Sequence, residues 1–397
     1  MTVFLLLLPA LILGSRGLGD GVATLCALIM IYRGLSEPGQ RWFSEPWFKA
    51  ALALWAAMLV LTSPFALDPV YSLKQSFIFI RWPLFALFMC RFVFTRPRYL
   101  ELFERAALGW LLFIVLDSIF QYVHGADILG NVPSQTTRLI GPFKKEVPGI
   151  YSLRLYCMAL IGLICWRRQV APRYIVAETG AFMVLVLVFA MLAGERLVFM
   201  QFLAISLLAM GLLIFRMRPS RGAIMGLLGA VAAAGLGVAV WAPRMVQRTI
   251  VSLGAQLESF GQTNYFKIFK AAYLLWQQRP FTGIGTQSYG LGCDRFNYAA
   301  MLGDAEGCAV HPHNIYLEWL TDNGIIGLVL FVLLLYLVSR KVLAGLSFRH
   351  DPLVTTLVVL APFAIFWPLM TSMSMQANNY AAIVWLTLAW AMSRRTA

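Results

Sequence analysis

Charge is the scarcest commodity in this chain. Asp, Glu, Lys and Arg make up only 13% of its 397 residues, about half the share a soluble domain carries, and a water-soluble globular fold is thereby excluded. Histidine is rarer still, with His124, His311, His313 and His350 the whole supply. The eight aspartates form no Asp-x-Asp pair, so the usual paired-carboxylate seat for a divalent cation is missing. There is no glycine-rich phosphate loop ending in Lys-Ser/Thr, no His-Glu-x-x-His and no Cys-x-x-Cys, which leaves nucleotide hydrolysis, zinc proteolysis and dithiol redox chemistry without their motifs. Gly283-Ile284-Gly285 runs on into Thr286-Gln287-Ser288, the wrong register for a serine nucleophile elbow. Met1-Thr2-Val3 carries no basic side chain, so the first apolar run does not read as a removable signal peptide. Internal repeats and low-complexity stretches are also absent.

Apolar runs are abundant. Hydrophobic residues are 60% of the chain, grouped in blocks of about twenty, the length a helix needs to cross a bilayer. The backbone of such a segment satisfies its own hydrogen bonds only as a helix or a closed barrel, and the block length selects the helix. The reading is an all-α integral membrane protein of about twelve transmembrane helices, near 3–15, 21–34, 47–64, 76–93, 104–123, 151–166, 174–192, 197–215, 222–242, 315–338, 353–371 and 378–393. The first is short enough to be tilted or partly interfacial.

The excess of 32 basic over 18 acidic residues suggests nucleic acid until the positions are plotted. Arg33, Arg41, Lys49, Arg91, Arg96, Arg98, Arg105, Arg167, Arg168, Arg173, Arg216, Arg218, Arg221, Arg340, Lys341, Arg349, Arg394 and Arg395 all fall on alternate connections or the tail. By the positive-inside rule both termini are expected in the cytoplasm. The fourteen other basic residues lie on or near the opposite face and need another explanation.

That opposite face carries two long connections, 124–150 and 243–314, and a tight link at Ala193-Gly194-Glu195-Arg196. Long connections in a compact bundle are usually functional. The organisation expected is a bundle over 1–242, an insert over 243–314 and a second bundle over 315–397. The insert reads as mostly helical, with a helix near 256–279 whose stripe is Phe266, Phe269, Tyr273 and Trp276, and a Pro/Gly turn at Pro280-Phe281-Thr282-Gly283-Ile284-Gly285. Cys26, Cys90, Cys157 and Cys165 fall in spans as packing residues. Cys293 and Cys308 both lie in the insert, where they form a disulfide in an oxidising compartment or stand as two free thiols.

His311-Pro312-His313-Asn314 opens the apolar run from Ile315. A neutral histidine at the water-facing end of a span is a candidate general base, and placement at a helix N-terminus disfavours its imidazolium; the competing reading is a structural histidine. On a continuous helix of about 100° per residue, Gly324 lies about 20° from His313 and Gly327 about 40° the other way. All three would share a face that a neighbouring helix or a lipid tail can approach closely. Asn314 reads as an N-cap and His311 as a loop residue. Arg196, at a helix start, is a candidate anion ligand. Arg81 lies inside the fourth span, where ionisable residues are functional candidates by default. Arg138, Arg154, Arg248, Lys267, Lys270, Arg279 and Arg295 are weaker candidates, equally readable as headgroup anchors. Together these suit transfer from a diphosphate-activated lipid: arginines hold the departing diphosphate while histidine takes a proton from the incoming hydroxyl.

His313-Asn314, nine residues, Gly324, two residues, Gly327 resembles the signature of bacterial O-antigen ligases. The turn Pro280 to Gly285 and Gly194-Glu195-Arg196 also resemble this superfamily of ligases and polymerases, over roughly residues 185–330. The resemblance implies a GT-C-like inverting glycosyltransferase of the bacterial inner membrane, and the missing carboxylate pair and phosphate loop lead us to expect no cofactor and no need of metal or ATP. Its donor would be glycan on undecaprenyl diphosphate and its acceptor the lipid A–core oligosaccharide, at a periplasmic face. It implies His313 as base and Arg196 as diphosphate contact; by their own positions Arg81, Arg138, Lys267 and Lys270 are expected as further diphosphate cations, with Asn314, Arg154, Gly324 and Gly327 in support. Relatives often carry an arginine where Tyr265 stands here. An O-antigen polymerase, a protein O-oligosaccharyltransferase and a transporter of lipid-linked glycans are the alternatives; the transporter lacks its expected paired halves and midplane polar groups.

Overall fold

The computed structural model describes residues 1–37, 40–134, 138–252, 254, 258–298, 311–368, 373–376 and 378–396. Among the described residues there is no β-strand, nine helices are long and apolar enough to cross a membrane, and three more are apolar but shorter. The chain is an all-α integral membrane protein. We number the helices α1 (Thr2–Gly14), α2 (Arg16–Ser36), α3 (Pro46–Phe65), α4 (Pro69–Val93), α5 (Pro97–His124), α6 (Pro148–Val170), α7 (Pro172–Leu192), α8 (Arg196–Met217) and α9 (Arg221–Trp241). After the insert helix α10 (Asn264–Gln278) come α11 (Ile315–Leu343), α12 (Pro352–Phe366) and α13 (Asn378–Ser393). With 13 residues, α1 is about 20 Å long, short of the roughly 30 Å hydrocarbon core.

Helix starts follow local chemistry more closely than hydropathy does. Expected from residue 76, α4 begins seven residues earlier: Asp68 accepts a hydrogen bond from Tyr71 N at 2.9 Å and Pro69 opens the first turn. Asp351 does the same for α12, accepting from Val354 N at 3.2 Å ahead of Pro352. The insert helix starts at Asn264 instead of near 256, because Thr263 caps it by accepting from Phe266 N at 3.2 Å. It stops before Pro280, which disfavours helical backbone in the residue ahead of it.

The core sits around α6 and α13. From Pro148 to Ile164 every residue of α6 is buried, as is α13 from Tyr380 to Met392. At the other extreme, α9 has no buried residue, and Leu35, Phe215, Val240 and Trp241 are all at least 70% exposed. A water-facing surface of that kind would be a severe liability; facing lipid, it is the solvated state.

The end of the bundle that carries the alternate basic loops is tied by ion pairs. Lys341 and Arg91 reach Glu45 at 3.1 and 2.9 Å, and Arg168 pairs with Asp351. The fully buried Glu104 of α5 is held by Arg394 at 3.2 Å and by the Trp390 indole N–H at 3.0 Å. A buried carboxylate is tolerable only with such partners, and this one anchors the segment after α13 against α5.

Candidate anion and proton-transfer site

At the opposite end the most specific feature is a splice between two segments the sequence sets forty residues apart. At Gly324 the backbone leaves the helical region, with φ +65° and ψ −170°, so α11 is two helices joined at a break. The break frees the carbonyls of Thr321 and Asp322 and the amides of Ile325 and Ile326, which an unbroken helix would pair with each other. The turn after α10 takes all four. Ile284 N donates to Thr321 O and Gly285 N to Asp322 O, each at 3.0 Å; Ile325 N donates to Pro280 O at 2.9 Å and Ile326 N to Phe281 O at 3.3 Å.

Two glycines permit this approach. A Cβ on Gly324 would lie 2.2 Å from Phe281 O, and one on Gly283 would lie 2.3 Å from Asp322 O. The continuous helix that would align His313, Gly324 and Gly327 does not form, and the close neighbour of Gly324 is the backbone of the turn, not another helix or a lipid tail. Gly327 is buried against its own helix, where a Cβ would meet the Asn323 side chain.

The far side of the turn is fixed as well. Leu67 N donates to Ile284 O at 2.8 Å, and Thr286 N donates to Ser72 Oγ at 3.0 Å. Buried hydroxyls of Ser63, Ser76 and Thr286 form a chain at 3.0 and 2.7 Å that reaches Asn323 Oδ1 at 3.3 Å. Below it, α10 lays Ile268, Ala271, Ala272 and Leu275 on a small core with Ile284, Tyr289 and Cys293. The aromatic stripe is split by this packing: Phe266 and Tyr273 are exposed, while Phe269 packs against the small core whose inner face the alanines occupy. Thr321 Oγ1 donates to Ala272 O at 3.2 Å and locks α10 to α11.

Beside this platform four arginines converge. Arg196 Nε donates to Arg248 O at 2.7 Å, and Arg248 Nε donates to Gly194 O at 3.2 Å, a reciprocal clasp between the start of α8 and the turn after α9. Burial, then the positive charges of Arg138 and Arg196, hold the Arg248 guanidinium below its ordinary pKa. Arg138 pairs with Glu146 at 2.9 Å. Glu195 accepts from Gly149 N at 2.9 Å; burial pushes its carboxyl up to about 7 against the opposing pull of Arg138, the Gly149 and Ile150 amides, and Arg154. Arg154, inside α6 and 2% exposed, donates to the Tyr380 hydroxyl at 2.6 Å. Its Nε and Nη1 have no hydrogen-bond partner among the described residues. Four cations thus face two carboxylates, one of them half protonated near neutrality, an arrangement that awaits an anion.

His313 borders the cluster. It precedes the Asn314 cap with φ +52°, a left-handed conformation that costs a bulky residue about 1 kcal/mol or more. The ring lies edge-on to Tyr265, 6.4 Å between centroids, and 4.3 Å from the His311 ring. Tyr265 in turn lies near enough to Arg248 to act on its charge. His311, expected to be a bystander in the loop, is a ring neighbour. Asn314 is the N-cap its sequence suggested, accepting from Tyr316 N and Leu317 N at 3.0 and 3.1 Å, and it also donates to Pro368 O at 2.7 Å.

Other expected ligands stand apart. Arg81 pairs with Asp20 at 3.2 Å and lies over the Trp82 ring, which gives its charge a partner within the bundle. Lys270 is exposed on α10 and Lys267 is half-buried there. Cys293 is buried and disulfide-bonded; Cys308 lies outside the described residues, so its pairing remains an expectation. Sequence reasoning passed over Glu318 and Asp322. Glu318 accepts from Ser374 Oγ and from Met375 N at 3.0 Å, while Asp322 accepts from Gln287 N at 2.9 Å. The signal was available, two carboxylates one helical turn apart in an apolar span.

The fold and the site define a class: a multi-pass helical membrane protein with a cationic, histidine-bordered site at one end of the bundle. Residues 181–332 match the family model described as O-antigen ligase, the family whose motifs this stretch resembles. The match takes in Glu195, Arg196, Arg248, Tyr265, the splice and His313, while Arg138, Arg154 and Tyr380 lie outside it. No curated protein matches the chain.

Proposed function

We propose that the chain is an O-antigen ligase, an inverting membrane glycosyltransferase of the bacterial inner membrane with its site on the periplasmic face and both termini in the cytoplasm. The donor is O-antigen glycan on undecaprenyl diphosphate and the acceptor a hydroxyl of the lipid A–core oligosaccharide. The observation that carries this reading is the convergence of Arg138, Arg154, Arg196 and Arg248, linked to His313 through Tyr265. In the proposed step the acceptor oxygen attacks the anomeric carbon, the bond from that carbon to the diphosphate oxygen breaks, and undecaprenyl diphosphate departs with the electron pair. Arg196 and Arg248, with Arg138 and Arg154 behind them, stabilise the charge gathering on the diphosphate. Neutral His313 takes the proton of the attacking hydroxyl. A single displacement assisted by one base inverts the anomeric configuration, and it asks for neither ATP nor a metal.

Support for a proton acceptor at His313 comes from its left-handed backbone, a strained conformation of the kind that gathers at functional sites, and from its ring contact with Tyr265. The test of acceptor identity is the lipopolysaccharide profile of a deletion strain. Complete loss of O-antigen from lipid A–core, with lipid-linked chains accumulating, supports the ligase; cores capped by a single repeat would show a polymerase instead. Transfer by the purified protein is expected to persist in EDTA without nucleotide.

A further inference from the structure

A cleft of about 530 Å³ lies outside the arginine cluster, between the end of α3 and the turn that enters the α11 break. Its walls are Pro64, Phe65, Ala66, Pro280, Phe281 and Thr282, with Arg279 the single charged side chain lining it. Phe65 is 57% and Phe281 69% exposed. Such exposure is not slack in the chain, because the splice pins Phe281 by its carbonyl to Ile326 N and the neighbouring Leu67 is bonded to Ile284. The Arg279 guanidinium forms no ion pair or hydrogen bond among the described residues.

The depth of the cleft follows from counting along α11. Arg340 and Lys341 mark one membrane boundary, Lys341 through its pair with Glu45. A hydrocarbon core of about 30 Å takes about 20 helical residues, which brings the other boundary to about Leu320 and Thr321. Pro280 and Phe281 bond to Ile325 and Ile326, so the turn lies about five residues, or about 7 Å, inside this boundary, and the long Arg279 side chain reaches outward from it toward the phosphate level. Exposed aromatics near such a level are characteristic of the membrane interface, and Phe65 and Phe281 are both exposed here.

We propose that this cleft seats an anionic phospholipid, its phosphate on Arg279 and its first acyl segments against Phe65 and Phe281. A guanidinium matches a phosphate in charge and geometry, and apolar walls at the hydrocarbon edge match the chain beneath it. This lipid is distinct from the glycan donor, and its binding does not depend on the reaction proposed above.

The experiment uses the full chain in nanodiscs of phosphatidylcholine with and without phosphatidylglycerol, released into native mass spectrometry. One retained phosphatidylglycerol per chain is expected, reduced about fivefold or more by Arg279→Gln and by Phe65→Ser, and unchanged by Arg244→Gln, whose exposed cation lies outside the cleft. Equal retention in Arg279→Gln and the parent, or equal retention of phosphatidylcholine, would overturn the proposal. Displacement by millimolar inorganic phosphate would overturn it too, by showing a site for soluble anions. The Phe65→Ser arm, on the wall away from the splice, decides the matter if Arg279→Gln does not fold.

Discussion

Gly324→Ala perturbs the splice at one atom. The native φ of +65° with ψ of −170° belongs to a region open essentially to glycine, and holding alanine there costs about 1–3 kcal/mol. The added Cβ would stand 2.2 Å from Phe281 O, so the turn must retreat by more than an ångström. That retreat stretches the four backbone bonds of the splice, each worth about 1 kcal/mol net and more when its groups stay buried without partners. The total is about 4 kcal/mol or more, enough to lower the melting temperature of the detergent-purified protein clearly and to displace α10, which carries Tyr265 to His313. Gly226→Ala is the matched control. It makes the same substitution on α9, where nothing lies within 4 Å of the new atom and alanine is the better helix former by about 1 kcal/mol. Thermal melting followed by lipopolysaccharide complementation reads both. If Gly324→Ala melts and complements like the parent, the backbone splice is not what holds the two motifs together.

The other predictions concern the chemistry. His313→Ala should insert and fold yet lose about a hundredfold to ten-thousandfold in transfer rate, whereas His124→Ala, stacked on Phe120, should keep its rate; similar rates in the two would remove His313 as the base. His311→Ala is not a clean control, and an intermediate loss is expected from its ring contact with His313. Arg196→Lys keeps the charge but forfeits both the guanidinium fork and the Nε bond to Arg248 O, so donor KM should rise about tenfold or more; a kinetic match to the parent would leave Arg196 as a headgroup anchor. Glu195 holds its proton up to about pH 7, so raising the pH adds a negative charge beside the arginines. Donor KM should then rise about threefold to tenfold between about pH 6 and about pH 8. In Glu195→Gln that rise should vanish, and a slope as steep as the parent's would refute the assignment.

Much of this architecture was legible before any coordinates. Apolar blocks of bilayer length located the helices, and alternate basic loops separated the two ends, because both signals are local and additive along the chain. The pairing of Gly194-Glu195-Arg196 with Arg138 and His313 at one end followed from span parity. What stayed hidden depends on contacts between distant segments. Nothing in Leu320 to Ile326 announces a break except Gly324, and a lone glycine in an apolar helix usually means close packing; only the incoming turn makes the interruption affordable. Arg81 looked like an unpaired intramembrane charge because Asp20 lies sixty-one positions away. Which face of α10 turns inward was not legible either: Ala271 and Ala272 take it, with Ile268 and Leu275, because their small side chains let backbones approach. Arg154 was ranked low for lack of any sign that Tyr380, on the last helix, would meet it.

The splice also decides where the insert can move. Between Pro280 and Gly285 the chain is bonded on one side to α11 and on the other to Leu67 and Ser72, and α10 is locked to Thr321. A hinge at this end would have to break several buried bonds at once. If the insert gates a bulky glycan as the proposed function requires, the gate would swing from the other attachment, the stretch that follows α9 and begins at Pro243, by opening the Arg196–Arg248 clasp. Arg248 lies on that stretch. Entry of the substrate and completion of the cationic cluster would then be a single motion, with the site assembled only when the door is shut.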